Sequence, residues 1–105
     1  MKYKNVIWTT DITCELPIFL NNNGAGNINP ITVMEMFEQT VNEAKDEDAL
    51  FVERDGKWIS WTWNQFHKET IYFAKALINL GIKNYKCVNI LAFNSPEWFA
   101  SFLGK

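Results

Sequence analysis

Lys86-Cys-Val-Asn-Ile-Leu-Ala-Phe93 is a short, mostly apolar run bounded by polar residues, and the fold of this chain is best read from it. Such a run is typical of a strand that is buried on both faces of a parallel α/β sheet. Asn94-Ser-Pro-Glu97 then turns the chain, and Trp98-Phe-Ala-Ser-Phe-Leu103 begins a second apolar pattern. In that turn the serine is a good N-cap, the proline suits the first helical turn, and the glutamate complements the helix dipole. The stretch therefore predicts a strand, a tight turn and a helix.

The predicted last helix is short. It begins near Pro96 and has about ten residues before Lys105, fewer than the ~12–15 at which an isolated helix becomes even marginal. No other part of the sequence is a clear partner for a parallel strand. We therefore expect an incomplete portion of an α/β domain that exposes Trp98, Phe99 and Phe102 when isolated and is dynamic or associates.

A first helix is predicted to open at Pro30. Thr32 and Glu35 have capping-box spacing, and Ile31 and Met36 are placed as a hydrophobic staple. An apolar stripe follows at a period near 3.6. Its members are Val33, Phe37, Val41 and Ala44.

A β-hairpin is predicted next. Leu50–Glu53 and Trp58–Trp63 flank Asp55-Gly56, a dipeptide typical of two-residue hairpin turns. Ile59, Trp61 and Trp63 would share one strand face. A tryptophan stripe can stack on bases or sugars, but no basic residues accompany this one, which favours packing against a helix.

The second helix is marked at both ends. Thr62 and Gln65 again have capping-box spacing, and Gly81 fits the left-handed position after the last turn. Ile82 could then fold back on Leu77. The predicted core stripe is Phe66, Phe73, Leu77 and Leu80, with Ala74 and Ile78 beside it. The predicted fold class is α/β, with α+β character in the isolated piece: helix, hairpin, helix, buried strand and start of a helix.

Composition excludes several function classes. The 105 residues make one domain or part of one, and 48% hydrophobic with 21% charged content is ordinary for a globular chain. A net charge of -2 without a basic cluster excludes an electrostatic nucleic-acid surface. Cys14 and Cys87 have no metal-ligand spacing, and Cys87 is expected to be a buried free thiol. With no signal peptide and no run of ~20 apolar residues, we expect an intracellular protein that is cytoplasmic or peripheral to a membrane.

No catalytic constellation is found in the residues themselves. Ser95 stands at a strand-to-helix turn, but it lacks the flanking glycines of a nucleophile elbow and is better explained as an N-cap. Pro96 and Glu97 oppose phosphate binding there, and no glycine-rich phosphate motif occurs. His67 has no catalytic partner nearby in the sequence and is expected on the surface. The carboxylates of Asp46-Glu47-Asp48 are expected to form a solvated loop.

The chain resembles a known enzyme family, and the block Asn89–Phe99, with its Asn-Ser-Pro-Glu-Trp-Phe string, carries most of the likeness. It is similar to the N-terminal part of long-chain acyl-CoA synthetases, bubblegum-type branch, in the adenylate-forming (AMP-binding) superfamily. Other blocks agree in the same order: Trp8-Thr-Thr10, Pro30–Val33 with Met36-Phe37, Trp58–Trp61, and Ala74–Leu77 with Leu80-Gly81.

The resemblance implies a reaction that this stretch does not carry alone. Such enzymes join a fatty acid to ATP as an acyl-adenylate, with Mg²⁺ serving that step, and then transfer the acyl group to coenzyme A. The family's phosphate loop, its adenine and ribose motifs and its C-terminal lysine lie beyond the matched region. We therefore assign no catalytic, cofactor-binding or metal-ligating residue to this chain.

Two interpretations of the whole remain open. Residues 1–29 would be an irregular segment with an Asn/Gly-rich loop, and residues 30–105 the truncated N-terminal part of an AMP-binding domain. The chain would then be the front of a fatty-acid-activating enzyme. The alternative is a short non-catalytic module, or truncated pseudo-enzyme, that binds a lipid or a protein through its aromatic face. Peripheral membrane association and self-association through exposed aromatics both stay open.

Overall fold

The computed structural model describes residues 7–20 and 23–105. The chain divides into two compact units, Met1–Ile31 and Thr32–Lys105. The described residues of the first unit include a short 3-10 helix, Gly24–Gly26. They also form a turn at Asp11, whose Oδ1 accepts hydrogen bonds from the Thr13 backbone N–H at 2.9 Å and from the Thr13 hydroxyl at 2.7 Å. These two bonds lower the pKa of the Asp11 carboxyl. Val6-Ile7-Trp8 has the composition of a short strand, but Val6 lies outside the described residues, and Ile7 and Trp8 are not in a strand.

The second unit contains every α-helix and β-strand among the described residues: α1 (Val33–Glu43), β1 (Asp48–Arg54), β2 (Lys57–Thr62), α2 (Trp63–Asn79) and α3 (Pro96–Leu103). Helix α1 begins at Val33 rather than Pro30, because Thr32 is the N-cap. Its hydroxyl accepts from the Glu35 backbone N–H at 3.1 Å, and the Glu35 carboxylate accepts from the Thr32 N–H at 2.6 Å. The predicted capping box is confirmed. Val33, predicted to face the core, is 60% exposed, and Met34 packs there instead.

The predicted hairpin is also confirmed. Strands β1 and β2 pair antiparallel, with Arg54 opposite Lys57 across a two-residue turn. Asp55 and Gly56 in that turn have φ of 52° and 72°, as a type I′ turn requires. Ala49 is an extra residue on β1, and the register shifts there. Trp63, predicted to be in the strand, is instead the first residue of α2, because Thr62 leaves the sheet to cap that helix.

Helix α2 has the predicted chemistry at both ends. Thr62 and Gln65 form a complete capping box. At the other end Gly81 has φ 83°, its N–H donates to the Ile78 carbonyl at 2.9 Å, and the Ile82 N–H donates to the Leu77 carbonyl at 3.1 Å. This pair of bonds is the Schellman motif.

The core lies where α1, α2 and α3 meet the hairpin. Its buried members are Phe37, Val41, Phe66 and Ala100, with Met34, Ala49, Leu50, Trp63 and Leu103 packed against them. The Phe37 ring meets Phe66 edge-on, with centroids 5.0 Å apart, and lies 6.3 Å from Trp63. Trp63 therefore packs against α1, but it does so from α2 and not from the strand face that was predicted to carry it. Ile59, on that predicted face, is 40% exposed.

The crossing of α3 over α2 is tight. Thr70 of α2 is fully buried, and its hydroxyl donates to the Phe66 carbonyl at 3.0 Å. Ala100 and Gly104 lie on the facing side of α3, and a Cβ on Gly104 would stand 2.5 Å from the Thr70 carbonyl oxygen. Small residues therefore allow this approach. Thr70 was not among the residues predicted for the core face of α2. Leu80 was placed in that stripe and Ile78 beside it, and the two are 79% and 70% exposed.

The predicted buried strand is wrong for this chain. Residues 86–93 belong to no strand, and Leu91 and Phe93 have fully exposed side chains, at 102% and 96%. Cys87, expected to be buried, is also exposed. A strand needs a hydrogen-bonded neighbour, and within residues 7–20 and 23–105 the only ladder is the hairpin.

Candidate functional site

The first candidate site is a cleft at the start of α3, between α2 and the hairpin. Its volume is about 170 Å³, and it is lined by Leu50, Trp61, Phe66, Glu69, Pro96, Glu97 and Ala100. Ligand pockets usually measure about 300–1,000 Å³. The cleft is therefore small for a substrate of that kind.

Of the two carboxylates that line this cleft, Glu69 and Glu97, the second is paired with Arg54. Arg54 Nη2 donates to both carboxylate oxygens of Glu97, at 2.6 and 2.7 Å, and the Arg54 guanidinium lies 5.8 Å from the centroid of the Trp61 ring. The hydrogen bond from Arg54 lowers the pKa of the Glu97 carboxyl. Glu97 therefore stays ionised at neutral pH, which makes it an acceptor and a poor general acid.

Ser95 has a structural role that matches its prediction as an N-cap. Its hydroxyl accepts from the Trp98 backbone N–H at 3.2 Å, and its carbonyl accepts from the Phe99 N–H at 3.2 Å. His67 lies on α2 and packs on Phe37, with ring centroids 5.6 Å apart. Within the described part of the chain, neither side chain is hydrogen-bonded to a residue that could act as its catalytic partner.

The start of α2 offers no free donors for an anion. The Thr62 and Gln65 N–H groups are satisfied by the capping box, at 2.8 and 3.3 Å. The Trp63 N–H donates to the Glu47 carbonyl at 3.0 Å, and the Asn64 N–H donates to the Lys45 carbonyl at 3.1 Å. All four backbone N–H groups that lack an intrahelical acceptor at a helix start therefore have hydrogen-bond partners here.

Metal-ligating side chains are not gathered at one place in the described residues. No group of three or more His, Cys, Asp or Glu side chains within 7–20 and 23–105 is arranged to hold an ion. Asp46 and Glu47 are exposed on the loop before β1, as expected. Asp48, predicted to be in that loop, is instead the exposed first residue of β1. These carboxylates carry no site chemistry here.

A larger groove lies beside the end of α2. Its volume is about 740 Å³, and its lining includes the apolar side chains of Leu77, Ile78, Ile82 and Val88. Lys83, Lys86 and Lys105 also line it, and no carboxylate side chain does. The groove is therefore open, partly apolar and positively charged.

The family model of the AMP-binding enzyme matches residues 37–105, which include the core, the hairpin and the capped start of α3. This chain therefore belongs to the AMP-binding enzyme family. No solved structure matches it with significance.

The relatives are fatty-acid ligases. The chain is 34% identical over 98 residues to the long-chain-fatty-acid–CoA ligase ACSBG2 of Mus musculus, covering 93% of this chain and 15% of the ligase. With the ACSBG2 of Homo sapiens it shares 36% identity over 98 residues, again 93% of this chain and 15% of the ligase. The ACSBG1 of Bos taurus is 39% identical over 75 residues, which is 71% of this chain and 10% of that ligase. This chain thus spans 10–15% of the length of the relatives named here.

Among the described residues, no helix is both long and apolar enough to cross a membrane.

Sequence reasoning missed the Arg54–Glu97 pair. The two residues are 43 positions apart, and no periodic or motif signal connects them. The signals at Ser95 and Thr62 were found because each cap bonds a residue only three positions away.

Proposed function

We propose that this chain contributes the first part of the AMP-binding domain of a long-chain-fatty-acid–CoA ligase. That enzyme would join a fatty-acid carboxylate to the α-phosphate of ATP, release pyrophosphate, and transfer the acyl group to the thiol of coenzyme A with loss of AMP. The observation that carries the proposal is the family match over residues 37–105, which covers most of the folded unit Thr32–Lys105.

The role of these residues within the enzyme is to form a scaffold. The donors at the start of α2 are used in capping and loop bonds, and the Ser95 hydroxyl caps α3. Arg54 and Glu97 pair with each other. Because these groups are already paired with one another, they are not available to bind ATP, Mg²⁺ or coenzyme A.

A chimeric enzyme tests the proposal. The 98 residues of the mouse ACSBG2 that align with this chain are replaced by this chain, and acyl-CoA formation from palmitate, ATP and coenzyme A is measured. We expect the chimera to retain activity of the same order as the mouse enzyme. The control, mouse ACSBG2 with the aligned residues deleted, should be inactive.

Two outcomes would contradict the proposal. A chimera that folds, with a cooperative thermal transition, but forms no acyl-CoA would mean that this chain does not supply the ligase scaffold. Acyl-CoA formation by the isolated 105-residue chain would mean that reacting groups lie within it.

The groove beside the end of α2 supports a second candidate, a non-catalytic module that binds an anionic amphiphile. Its apolar side chains suit an acyl chain, and Lys83, Lys86 and Lys105 suit a carboxylate or phosphate. Titration of the isolated chain with oleate tests this candidate. Binding that is weakened by Lys83→Glu with Lys86→Glu, but not by the matched exchange Lys57→Glu in the hairpin, would support it.

A further inference from the structure

The hairpin has two outer edges without a strand partner. Strands β1 and β2 form the only ladder among the described residues. The residue pair that flanks a two-residue turn is hydrogen-bonded, and along the ladder such pairs alternate with non-bonded pairs, whose N–H and carbonyl groups point outward. The outward-directed residues are then Phe51 and Glu53 on β1 and Trp58 and Ser60 on β2. None of these four makes another backbone hydrogen bond within residues 7–20 and 23–105.

The two edges are protected to different degrees. Bulges and charged residues are the usual means by which an edge strand avoids pairing with another chain. Strand β1 has both, with an extra residue at Ala49 and charges at Asp48 and Glu53. Strand β2 has only Lys57, next to the turn, and its residues 58–62 contain no charge and no proline. The edge of β2 is therefore the one that is open to another strand.

A groove lies between the free edge of β2 and α2. Its volume is about 350 Å³. Its lining includes Ile59, Ser60 and Trp61 of β2 and Lys68, Glu69 and Tyr72 of α2. Because alternate residues of a strand point to opposite faces, a groove that Ile59, Ser60 and Trp61 all line lies at the strand edge. A further strand therefore has room beside β2, as in strand addition to an exposed sheet edge.

The charges around this edge favour a second copy of the chain as the partner. In a symmetric dimer the same surface lies on both sides, so it must be complementary to itself. Antiparallel pairing about a two-fold axis at Ile59 sets Lys57 of each copy opposite Trp61 of the other, which opposes no like charges. In the groove, Lys68 and Glu69 supply one charge of each sign. Two copies can therefore pair these charges, whereas a strongly acidic or basic partner would be repelled by one of them.

We propose that the free edge of β2 is a self-association site, at which two copies of this chain pair antiparallel and form a four-stranded sheet. Trp58 of each copy then exchanges backbone hydrogen bonds with Ser60 of the other, which satisfies the outward groups of both residues. Ile59 meets its counterpart on the two-fold axis, where the side chains of a non-hydrogen-bonded pair lie closest. The inference goes beyond the proposed function, because this pairing needs no catalytic group.

Matched proline variants of the full 105-residue chain test the edge. Sedimentation over a range of concentrations should show a monomer–dimer equilibrium in the parent. Ser60→Pro removes an outward N–H without removing a bond of the hairpin, and it should raise the dimer dissociation constant about tenfold or more. The control Glu53→Pro makes the same change at the outer edge of β1 and should leave the dissociation constant unchanged. The thermal transition of each variant shows whether it is folded.

Charge exchange on α2 tests the same contact without altering a strand. Lys68→Glu leaves only negative charge on that wall of the groove and should weaken the dimer. Adding Glu69→Lys to that variant restores one charge of each sign and should recover it. Both side chains are exposed, so the fold of the unit should be unaffected.

Hydrogen exchange identifies the interface directly. The amides of Trp58 and Ser60 should exchange more slowly in the dimer than at concentrations where the chain is monomeric, and those of Phe51 and Glu53 should not change. A chain that stays monomeric at every concentration would overturn the inference. So would a dimer that persists in folded Ser60→Pro but is lost in Leu91→Lys, because its contact would then lie outside the hairpin. None of these results depends on the activity of the mouse chimera, so the proposed function is tested separately.

Discussion

Replacing Gly104 with alanine tests the crossing of α3 over α2. The added Cβ would stand 2.5 Å from the Thr70 carbonyl oxygen, 3.1 Å from the Ala100 carbonyl oxygen and 3.3 Å from Phe73 Cδ1. The first distance is about 0.9 Å short of the 3.4 Å at which ordinary contact begins. Thr70 is fully buried in α2, so its carbonyl cannot move without displacing that helix.

Two effects of opposite sign compete in this variant. Gly104 has φ −87°, which alanine adopts freely, so reduced freedom of the unfolded chain alone would stabilise the protein by about 0.4–1 kcal/mol. Overpacking of a close contact typically costs about 1–3 kcal/mol. The contact should win, giving a net loss of about 0.5–2 kcal/mol in the free energy of unfolding.

Urea unfolding followed by tryptophan fluorescence measures this loss. A decrease of about 1 kcal/mol corresponds to a fall in Tm of about 4–8 °C for a unit of this size. Because Cβ itself makes the contact, Gly104→Ser should cost about as much as Gly104→Ala. A Gly104→Ala variant as stable as the parent, or more stable, would refute the close approach of the two helices.

Three further variants test other interactions by the same unfolding assay. Glu97→Gln should cost no more than about 1 kcal/mol, since the Arg54 pair is exposed. Because Arg54 lowers the pKa of the Glu97 carboxyl, the stabilisation is complete above that group's ordinary pKa and is lost as pH falls through the lowered value. The difference in stability between the parent and Glu97→Gln, followed from pH 7 downward, should therefore shrink. Thr62→Ala removes the α2 cap and should lower the free energy of unfolding by about 0.5–2 kcal/mol. The control Thr40→Ala, inside α1, should be neutral or stabilising. Equal losses of stability in the two variants would argue against the cap. Gly56→Ala forces φ +72° on alanine and should cost about 1–2 kcal/mol, so an unchanged midpoint would argue against the type I′ turn.

Features set by neighbours in the chain were predictable from the sequence. Both capping boxes join residues three positions apart, the Asp55-Gly56 turn is set by two residues, and the Schellman bonds after Leu80 span at most five. All the residues that form each of these features lie within a few positions of one another in the sequence. Ser95, the candidate site residue with the most suggestive position, was correctly interpreted as a cap for the same reason.

Features set by packing between elements were less predictable. Thr70 is four residues after Phe66, so helical spacing alone places it on the core face, but its polar side chain kept it out of the apolar stripe. It is buried because α3 crosses α2 there. Leu80 was predicted to be in the core by period, yet no element of the unit covers it, and it is 79% exposed.

Residues 87–93 show a different limit. Their composition predicts a particular kind of strand, but a strand is a property of a pair, and no described residue pairs with them. The Arg54–Glu97 pair at the cleft was beyond prediction for a related reason, because charge pairing across 43 positions depends on the completed fold. In both cases the residue types indicated the kind of interaction, but no neighbouring stretch of sequence identified the partner.

The connection between α1 and β1 has a consequence for how this region can evolve. The Lys45 and Glu47 carbonyls lie between Ala44, the C-cap of α1, and Asp48, the first residue of β1. They accept hydrogen bonds from the first two N–H groups of α2. Adding or removing one residue here would shift both carbonyls away from their donors and also move the extra residue of β1. Among relatives that keep this helix start, insertions and deletions should therefore be tolerated at the Asp55-Gly56 turn far more readily than between Ala44 and Asp48.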